Sequence, residues 1–472
     1  MQRDVLFAAL KNFVKGRPRL RAFLLLLYTG LIGMRDIVRG SRDALYFLLA
    51  WLHPGNRGIA AEAHGSTVVM LSVSDMRIDP RIEREARALA HAGFEVVVIW
   101  PSVSRSDDES GGIDWGPGIT FKRIPYAAGE FVRRFPGYCG REMLLAALQF
   151  KPLAFHGHDL TSGLIALTAA KRTGACAVID FHEWFSENVG WHAKQNAWQP
   201  HRLPQKLAYQ WLERLVFRDA SEIITVCDSI AGEMSMQYSQ GRRKVSVVRN
   251  IPDLVRQPTR TYPDIRDELN LPKGTFVVLW QGGVGLTRMI EPIIDALAHL
   301  PDWVFVIRGP GLEDYAEPYR RRAEAEGQSG RLFFLPLVPS RDVVAAAMSA
   351  DAGIWTLPNL CKNFYYALPN KIFEYLAAGL PVLAAHFPEA KRLIEDNRVG
   401  LCFDPYDPRS IADTIAMFST NRAALAACKA RIPAMMASVS ARDEWQKVVG
   451  IYQKLQQAKR LSGSTCVDRI SG

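Results

Sequence analysis

Ala367-Leu368-Pro369-Asn370-Lys371-Ile372-Phe373-Glu374-Tyr375-Leu376-Ala377-Ala378-Gly379-Leu380-Pro381-Val382 reads as a short helix handed directly to a strand. Pro369-Asn370 starts the helix, Gly379 ends it and Pro381 opens the strand. The first turn of such a helix has free N–H donors and the positive end of the dipole, which suits an anionic phosphate. Glu374 falls near that turn, where a carboxylate accepts hydrogen bonds from ribose hydroxyls. The plainer reading of Glu374 is a helix-terminal charge that favours the dipole.

Helix and strand alternate in the same way on both sides of this stretch. Upstream in the same half, short apolar runs at Phe276–Gln281, Trp303–Ile307, Arg331–Leu335 and Ala352–Thr356 predict strands, and Pro381–Ala384 is the next. Before them, Pro252, Pro258, Pro263 and Pro272 break the rhythm, so 252–274 is expected to be a linker. Earlier still the pattern repeats. Thr67–Val73 predicts a strand, Pro80–Ala92 a helix and Glu95–Trp100 a strand. Further strands are predicted at Leu153–His156, Ala177–Asp180, Glu222–Val226 and Lys244–Val248. Alternation of this kind means α/β architecture, parallel sheets covered on both faces, and sites at the C-terminal strand ends. The chain divides into a basic, apolar segment 1–60, a first Rossmann-like domain 65–255, a second 256–438, and a C-terminal helix within 439–460 expected to return to the first domain.

The sequence has 472 residues, 48% apolar and 22% charged, the balance of a packed globular protein. Residues 1–60 hold ten Lys/Arg against three Asp/Glu, most of the net charge of +10. The nearly neutral remainder argues against nucleic acid as a partner. In the basic segment, Val5, Leu6, Ala9, Leu10, Phe13 and Val14 share one helical face, and two uncharged runs follow, Ala22–Met34 and Ala44–Leu52. Both are shorter than the about 20 residues a spanning helix needs. Two readings stay open: an in-plane anchor on an anionic membrane surface, or a helical cap on the first domain. A cleaved signal peptide is the rival, but Arg35 and Asp36 stand where a small-residue cleavage site belongs. Seven cysteines with no C-x-x-C pair predict reduced thiols and neither a disulfide scaffold nor a zinc site.

Three groups carry the chemistry. His156, His158 and Asp159 follow one predicted strand, and Asp180, His182 and Glu183 follow the next, so both fall on one rim of the first sheet. Imidazole beside carboxylate orients a ring, holds a sugar hydroxyl or, with more ligands, binds a metal. Gln281-Gly282-Gly283-Val284-Gly285 follows the first strand of the second half. There glycines let a diphosphate approach backbone N–H groups, and Arg288 is expected in the helix turn after them. Asn370, Lys371 and Glu374 make the third group. The chain contains no D-x-D.

Pro369-Asn370-Lys371, Phe373-Glu374-Tyr375 and Ala378-Gly379-Leu380-Pro381-Val382 together resemble the donor-site signature of the family 4 glycosyltransferases. Asp79-Pro80-Arg81, Gly93-Phe94-Glu95-Val96, His158-Asp159, Asp180-Phe181-His182-Glu183, Val226-Cys227-Asp228-Ser229 and Arg249-Asn250-Ile251-Pro252 are similar to that family's first-domain motifs, in the same order. The resemblance covers about 66–455. It implies the GT-B fold, two Rossmann-like domains facing a central cleft, and retaining transfer of a sugar from a nucleotide-sugar donor, with no metal or other cofactor. By position, Glu374 would bind the donor ribose. Asn370, Lys371, Arg288 and the Gly282-Gly283 turn would lie at the diphosphate or sugar. His182, with Glu183 and Asp159, would act at the reacting sugar; His158, Asp180 and Asn250 would lie on the acceptor side or between the domains. The implied partners are the nucleotide sugar, a lipid-linked or oligosaccharide acceptor, and, through residues 1–60, an anionic membrane on its cytoplasmic face. A sugar-nucleotide epimerase and a catalytically silent subunit share this architecture. Three features depart from the family. Tyr366 stands where the first of two glutamates belongs, and Tyr366 itself, Asn363 or a backbone group is left to replace it. Gly283 replaces a basic residue, and Ser72–Asp79 replaces a glycine-rich turn.

Overall fold

The computed structural model describes residues 65–74, 76, 79–101, 113–124, 140–192, 197–252 and 258–462. The basic segment 1–60 lies outside them. Among the described residues the first half has nine strands: β1 Thr67–Leu71, β2 Glu95–Pro101, β3 Ile119–Ile124, β4 Ala154–His158, β5 Cys176–Phe181, β6 Val189–His192, β7 Ala197–Pro200, β8 Glu222–Thr225 and β9 Ser246–Val247. Seven of them form a wholly parallel sheet in the order β3-β2-β1-β4-β5-β8-β9, and β6 and β7 form a separate antiparallel hairpin. The second half adds β10 Phe276–Gln281, β11 Trp303–Arg308, β12 Leu332–Leu335, β13 Ala352–Trp355, β14 Val382–Ala385 and β15 Gly400–Phe403. They make a second parallel sheet, β12-β11-β10-β13-β14-β15.

The central strands are apolar throughout because both faces of each sheet are covered. Along β1, Val69 and Leu71 join one core, while Val68 and Met70 join the core on the opposite face. In each sheet the strand order reverses beside the first strand, at β1–β4 and at β10–β13. Crevices at such reversals, beyond the C-terminal strand ends, are where ligands bind in open α/β sheets. The two crevices face each other.

Helix Pro80–His91 begins at Asp79, whose carboxylate accepts from the Ile82 N–H at 3.3 Å. A cap of this kind is worth about 1 kcal/mol. Its Ile82, Ala86 and Leu89 share a core with Trp445, Val448, Val449 and Tyr452 of the last helix, Ala441–Ser462. Tyr452 meets Phe94 edge-on at 5.8 Å. The chain therefore leaves the second domain and ends its described course against the first.

Several expectations need correcting. The stretch 252–274 is not all linker. Thr259 N–H and Tyr262 Oη donate to the buried Asp342 carboxylate, both at 2.8 Å, and Ile265–Glu268 is a helix with Ile265 in the second core. Cys176 is in a disulfide, so the expectation of reduced thiols fails there. Strands β3 and β15 and the β6–β7 hairpin were not predicted. The middle of β3, Phe121-Lys122-Arg123, is only half-buried, because it forms the sheet edge and carries two charges.

Candidate functional site

A cleft of about 810 Å³ separates the two crevices. On its second-domain wall, helix Asn370–Ala377 presents its N-terminus, capped by Pro369 in extended conformation. Tyr375 locks this helix to the sheet: its hydroxyl accepts from the Gln281 N–H at 2.7 Å and donates to the Ile354 carbonyl at 3.3 Å. Asn370, Lys371 and Glu374 are thereby turned into the cleft. The Lys371 ammonium lies 5.3 Å from the centre of the Trp280 ring. Burial, and then the nearby Arg288, push its pKa down to about 8, with Glu374 opposing. Glu374 is itself pushed up by burial.

The glycine turn works differently from the expectation. The Gly282 N–H donates to the Arg308 carbonyl at 2.8 Å and the Val284 N–H to Pro310 at 3.0 Å, so those two donors are already used. At Gly282, with φ of 139°, a Cβ would run into the Lys371 side chain. The absent side chain makes room for the lysine. No helix begins directly after the turn. The next one starts at Glu291, and Arg288 sits in the preceding turn, its N–H bonded to Gly285 at 3.0 Å. Arg288 still reaches the cleft, where burial lowers its pKa and Glu183 of the opposite wall raises it.

The first-domain wall is built around His182. Its ring Nε2 lies 3.2 Å from Asp180 Oδ2 and 3.2 Å from His158 Nδ1. Its backbone N–H donates to Asp159 Oδ1 at 2.9 Å. Asp159 has φ of 63°, a left-handed conformation unusual for a non-glycine residue. That backbone turn directs its carboxylate to the His182 loop. Burial lowers the His182 pKa, but the Asp159 and Asp180 carboxylates outweigh it and raise it to about 9. Burial also raises Asp159, to about 6. Asp180 is fully buried. Burial opposes its ionisation, yet Arg81 and His182 hold it well below the ordinary carboxylate range. Arg81 grips it with two bonds, Nε to Oδ2 at 2.9 Å and Nη2 to Oδ1 at 3.0 Å, and donates Nη1 to the Val248 carbonyl at 3.0 Å.

Glu85, His156, His158 and Asp180 converge closely enough to suggest a metal site. The Arg81 guanidinium is already among them, 3.1 Å from Glu85 as well as bonded to Asp180. It supplies the cation that Asp180 needs, whereas burial and the Asp180 charge push the Glu85 pKa up to about 8 despite the guanidinium. Burial leaves His156 and His158 with lowered pKa values, hence neutral.

The cleft thus gathers His182, Glu183 and Asn250 from one domain and Gly282, Gly283, Arg288, Asn370, Lys371 and Glu374 from the other. His158, Asp159 and Asp180 do not line it; they stand behind or beside His182. Asn363 lines it and accepts from the Trp184 N–H at 2.9 Å, a tie between domains. Tyr366 does not: its hydroxyl donates to Glu233 at 3.1 Å, which also pairs with Lys362 at 2.7 Å. Sequence reasoning missed Arg308, a buried cleft residue bonded to Gln281 Oε1 at 3.3 Å and to the Ala346 carbonyl at 2.8 Å. The available signal was a charge ending an otherwise apolar strand.

Two family models match the chain: a glycosyl transferase 4-like domain over residues 78–250 and glycosyl transferases group 1 over residues 261–434. A D-inositol 3-phosphate glycosyltransferase of Streptomyces scabiei is 25% identical over 291 residues, which are 55% of this chain and 64% of that protein, just under two thirds of its length. One from Xylanimonas cellulosilytica is 23% identical over 436 residues, 87% of this chain and 94% of that protein. Among solved structures, Anabaena Alr3699/HepE in complex with UDP and glucose superposes with a TM-score of 0.58 at 16% identity, covering 84% of this chain and all of that one. That likeness bears on fold. With both family models matched in order across the two facing parallel sheets, the chain belongs to the family 4 glycosyltransferases and has the GT-B fold.

Proposed function

We propose that the chain moves a sugar from a nucleoside-diphosphate sugar to a lipid-linked or cell-surface saccharide, with retention at the anomeric carbon. The observation that carries this reading is the cluster of cationic side chains on one wall of the cleft. Arg288, Lys371 and Arg308 stand on the second-domain wall, opposite His182, Glu183 and Asn250. A diphosphate belongs on the basic wall, beside the N-terminus of helix Asn370–Ala377, and Glu374 is the carboxylate available to the ribose. The acceptor hydroxyl then approaches from the first domain, where His182 meets the reacting sugar. In this reading the protein's part is positioning and electrostatic stabilisation of the departing diphosphate by fixed cations. Asp159, Asp180 and His158 orient His182 from behind. No metal or other cofactor is required.

The basic, apolar segment 1–60 favours an acceptor held at a membrane, with the enzyme peripheral on the cytoplasmic face. Among the described residues no helix is long and apolar enough to cross a membrane. Thermal unfolding with UDP, GDP, ADP and dTDP tests donor use. A nucleotide at ~100 times its Kd should add about 2.7 kcal/mol to folded stability. UDP comes first because the Anabaena protein was solved with it. Product NMR then reports the anomeric configuration, with inositol phosphate included as an acceptor because the relatives' names specify it. No response to any nucleotide favours a silent subunit, turnover of a nucleotide sugar without acceptor favours an epimerase, and inversion refutes the retaining mechanism.

A further inference from the structure

Helix Leu203–Asp219 follows the β6–β7 hairpin and has two faces of opposite chemistry. Its inner face packs on the segment just after His182 and Glu183. Glu213 accepts from the Ser186 N–H at 2.9 Å, Lys206 pairs with Glu187 at 2.7 Å, and Tyr209 meets Phe185 edge-on at 5.9 Å. Its outer face carries Leu203, Leu207 and Trp211, exposed by 67, 51 and 50%. The spacing i, i+4, i+8 puts them in one row, and Arg214 continues it. Arg202, just before the helix, is exposed as well. The helix has only two acidic residues. Glu213 is buried and Asp219 is paired with Arg218 at 2.6 Å. An isolated exposed leucine needs no explanation, but an apolar row of three side chains on one helix face, flanked by arginines without a free carboxylate, does.

We propose that this outer face lies on an anionic bilayer, with Leu203, Leu207 and Trp211 in the headgroup–acyl boundary and Arg202 and Arg214 at the lipid phosphates. The arrangement leaves about one helix diameter, roughly 10 Å, between the bilayer and the His182 rim. A saccharide projecting from a membrane lipid then has a short path to the acceptor side of the cleft. The proposal deepens the membrane-presented acceptor reading and rests on it, but it concerns the folded body and not segment 1–60.

The test uses the full chain on vesicles of phosphatidylcholine and phosphatidylglycerol with brominated acyl chains, which quench only tryptophans that reach them. Trp211→Phe should remove most of the wild-type quenching. L203S/L207S/W211S should partition onto these vesicles on the order of a hundredfold more weakly. Both variants should keep the wild-type thermal shift with nucleotide, since no substituted residue lines the cleft. Equal quenching in wild type and Trp211→Phe means that other parts of the chain hold the bilayer, and it overturns the proposal. So does a dimer in sedimentation that the triple variant dissociates, because the face then belongs to a second copy. A chain that binds no nucleotide refutes the transferase reading, while the quenching result still decides this face.

Discussion

Lys371→Met removes a buried charge while keeping its apolar stem, and it should separate stability from binding. In the free protein the ammonium sits over Trp280, beside Arg288, with Glu374 as the opposing charge. Its pKa falls from 10.5 to about 8, a difference worth roughly 3 kcal/mol against the protonated form. The sign follows from proton counting. Between about pH 8 and 10.5 the unfolded lysine holds its proton and the folded one releases it, so wild-type stability rises with pH in that window and carries the full penalty below it. Lys371→Met should therefore raise the Tm of the ligand-free protein at neutral pH and lose that rise in stability above pH 8. Diphosphate binding should change in the opposite direction. Losing one charge-assisted contact to phosphate costs about 1.5–3 kcal/mol, or roughly 10- to 150-fold in Kd, with little change for the nucleoside. Because a bound diphosphate pulls the lysine pKa upward, wild-type affinity should fall as pH rises through about 8, and the variant should lack that dependence. Calorimetry with UDP and uridine across this range, beside thermal scans of the free protein, is the assay. A lower Tm in the variant, or the same pH dependence in both proteins, would refute the reasoning.

Arg288→Ala should weaken nucleoside diphosphate by a similar factor but leave the nucleoside unaffected; equal losses for both ligands would mean that Arg288 does not touch phosphate. Glu374→Ala should raise the Kd of the nucleotide itself, whereas His182→Ala should leave that Kd nearly intact and lower turnover, the pattern of an interaction made mainly in the transition state. Full activity in both variants would reject the site assignment. Gly282→Ala should cripple diphosphate binding although no side chain is lost, because its Cβ falls where the Lys371 chain runs; wild-type affinity would show that the lysine is free to move. Removing residues 1–60 should reduce salt-sensitive binding to anionic vesicles, and unchanged co-sedimentation would remove the reason for placing an anchor there.

Much of the fold was legible in the sequence because buried parallel strands must be apolar along their whole length. Phe276–Gln281 has the predicted bounds, and the other predicted strands begin or end within a few residues of theirs. The elements that escaped lacked that signal. Strand β3 is a charged edge, and β15 has four residues, two of them only partly buried. The donor-side chemistry was likewise local: Asn370, Lys371 and Glu374 share two turns of one helix, so their common direction follows from helical periodicity. Tertiary structure alone decided what stands behind them. Arg81 and Asp180 are 99 positions apart, yet their paired bonds fix the carboxylate that holds His182. Gly282 and Lys371 are 89 positions apart, yet one leaves the space that the other fills. Tyr366 and Asn363, which sequence alone could not tell apart as substitutes for the missing glutamate, parted only when the domains met: one turns to Glu233, the other to the cleft. The physical reason is common to all three. Helix and strand patterns are written in neighbouring residues, whereas a buried charge or an interdomain contact is set by whichever distant side chain packing brings within about 3 Å.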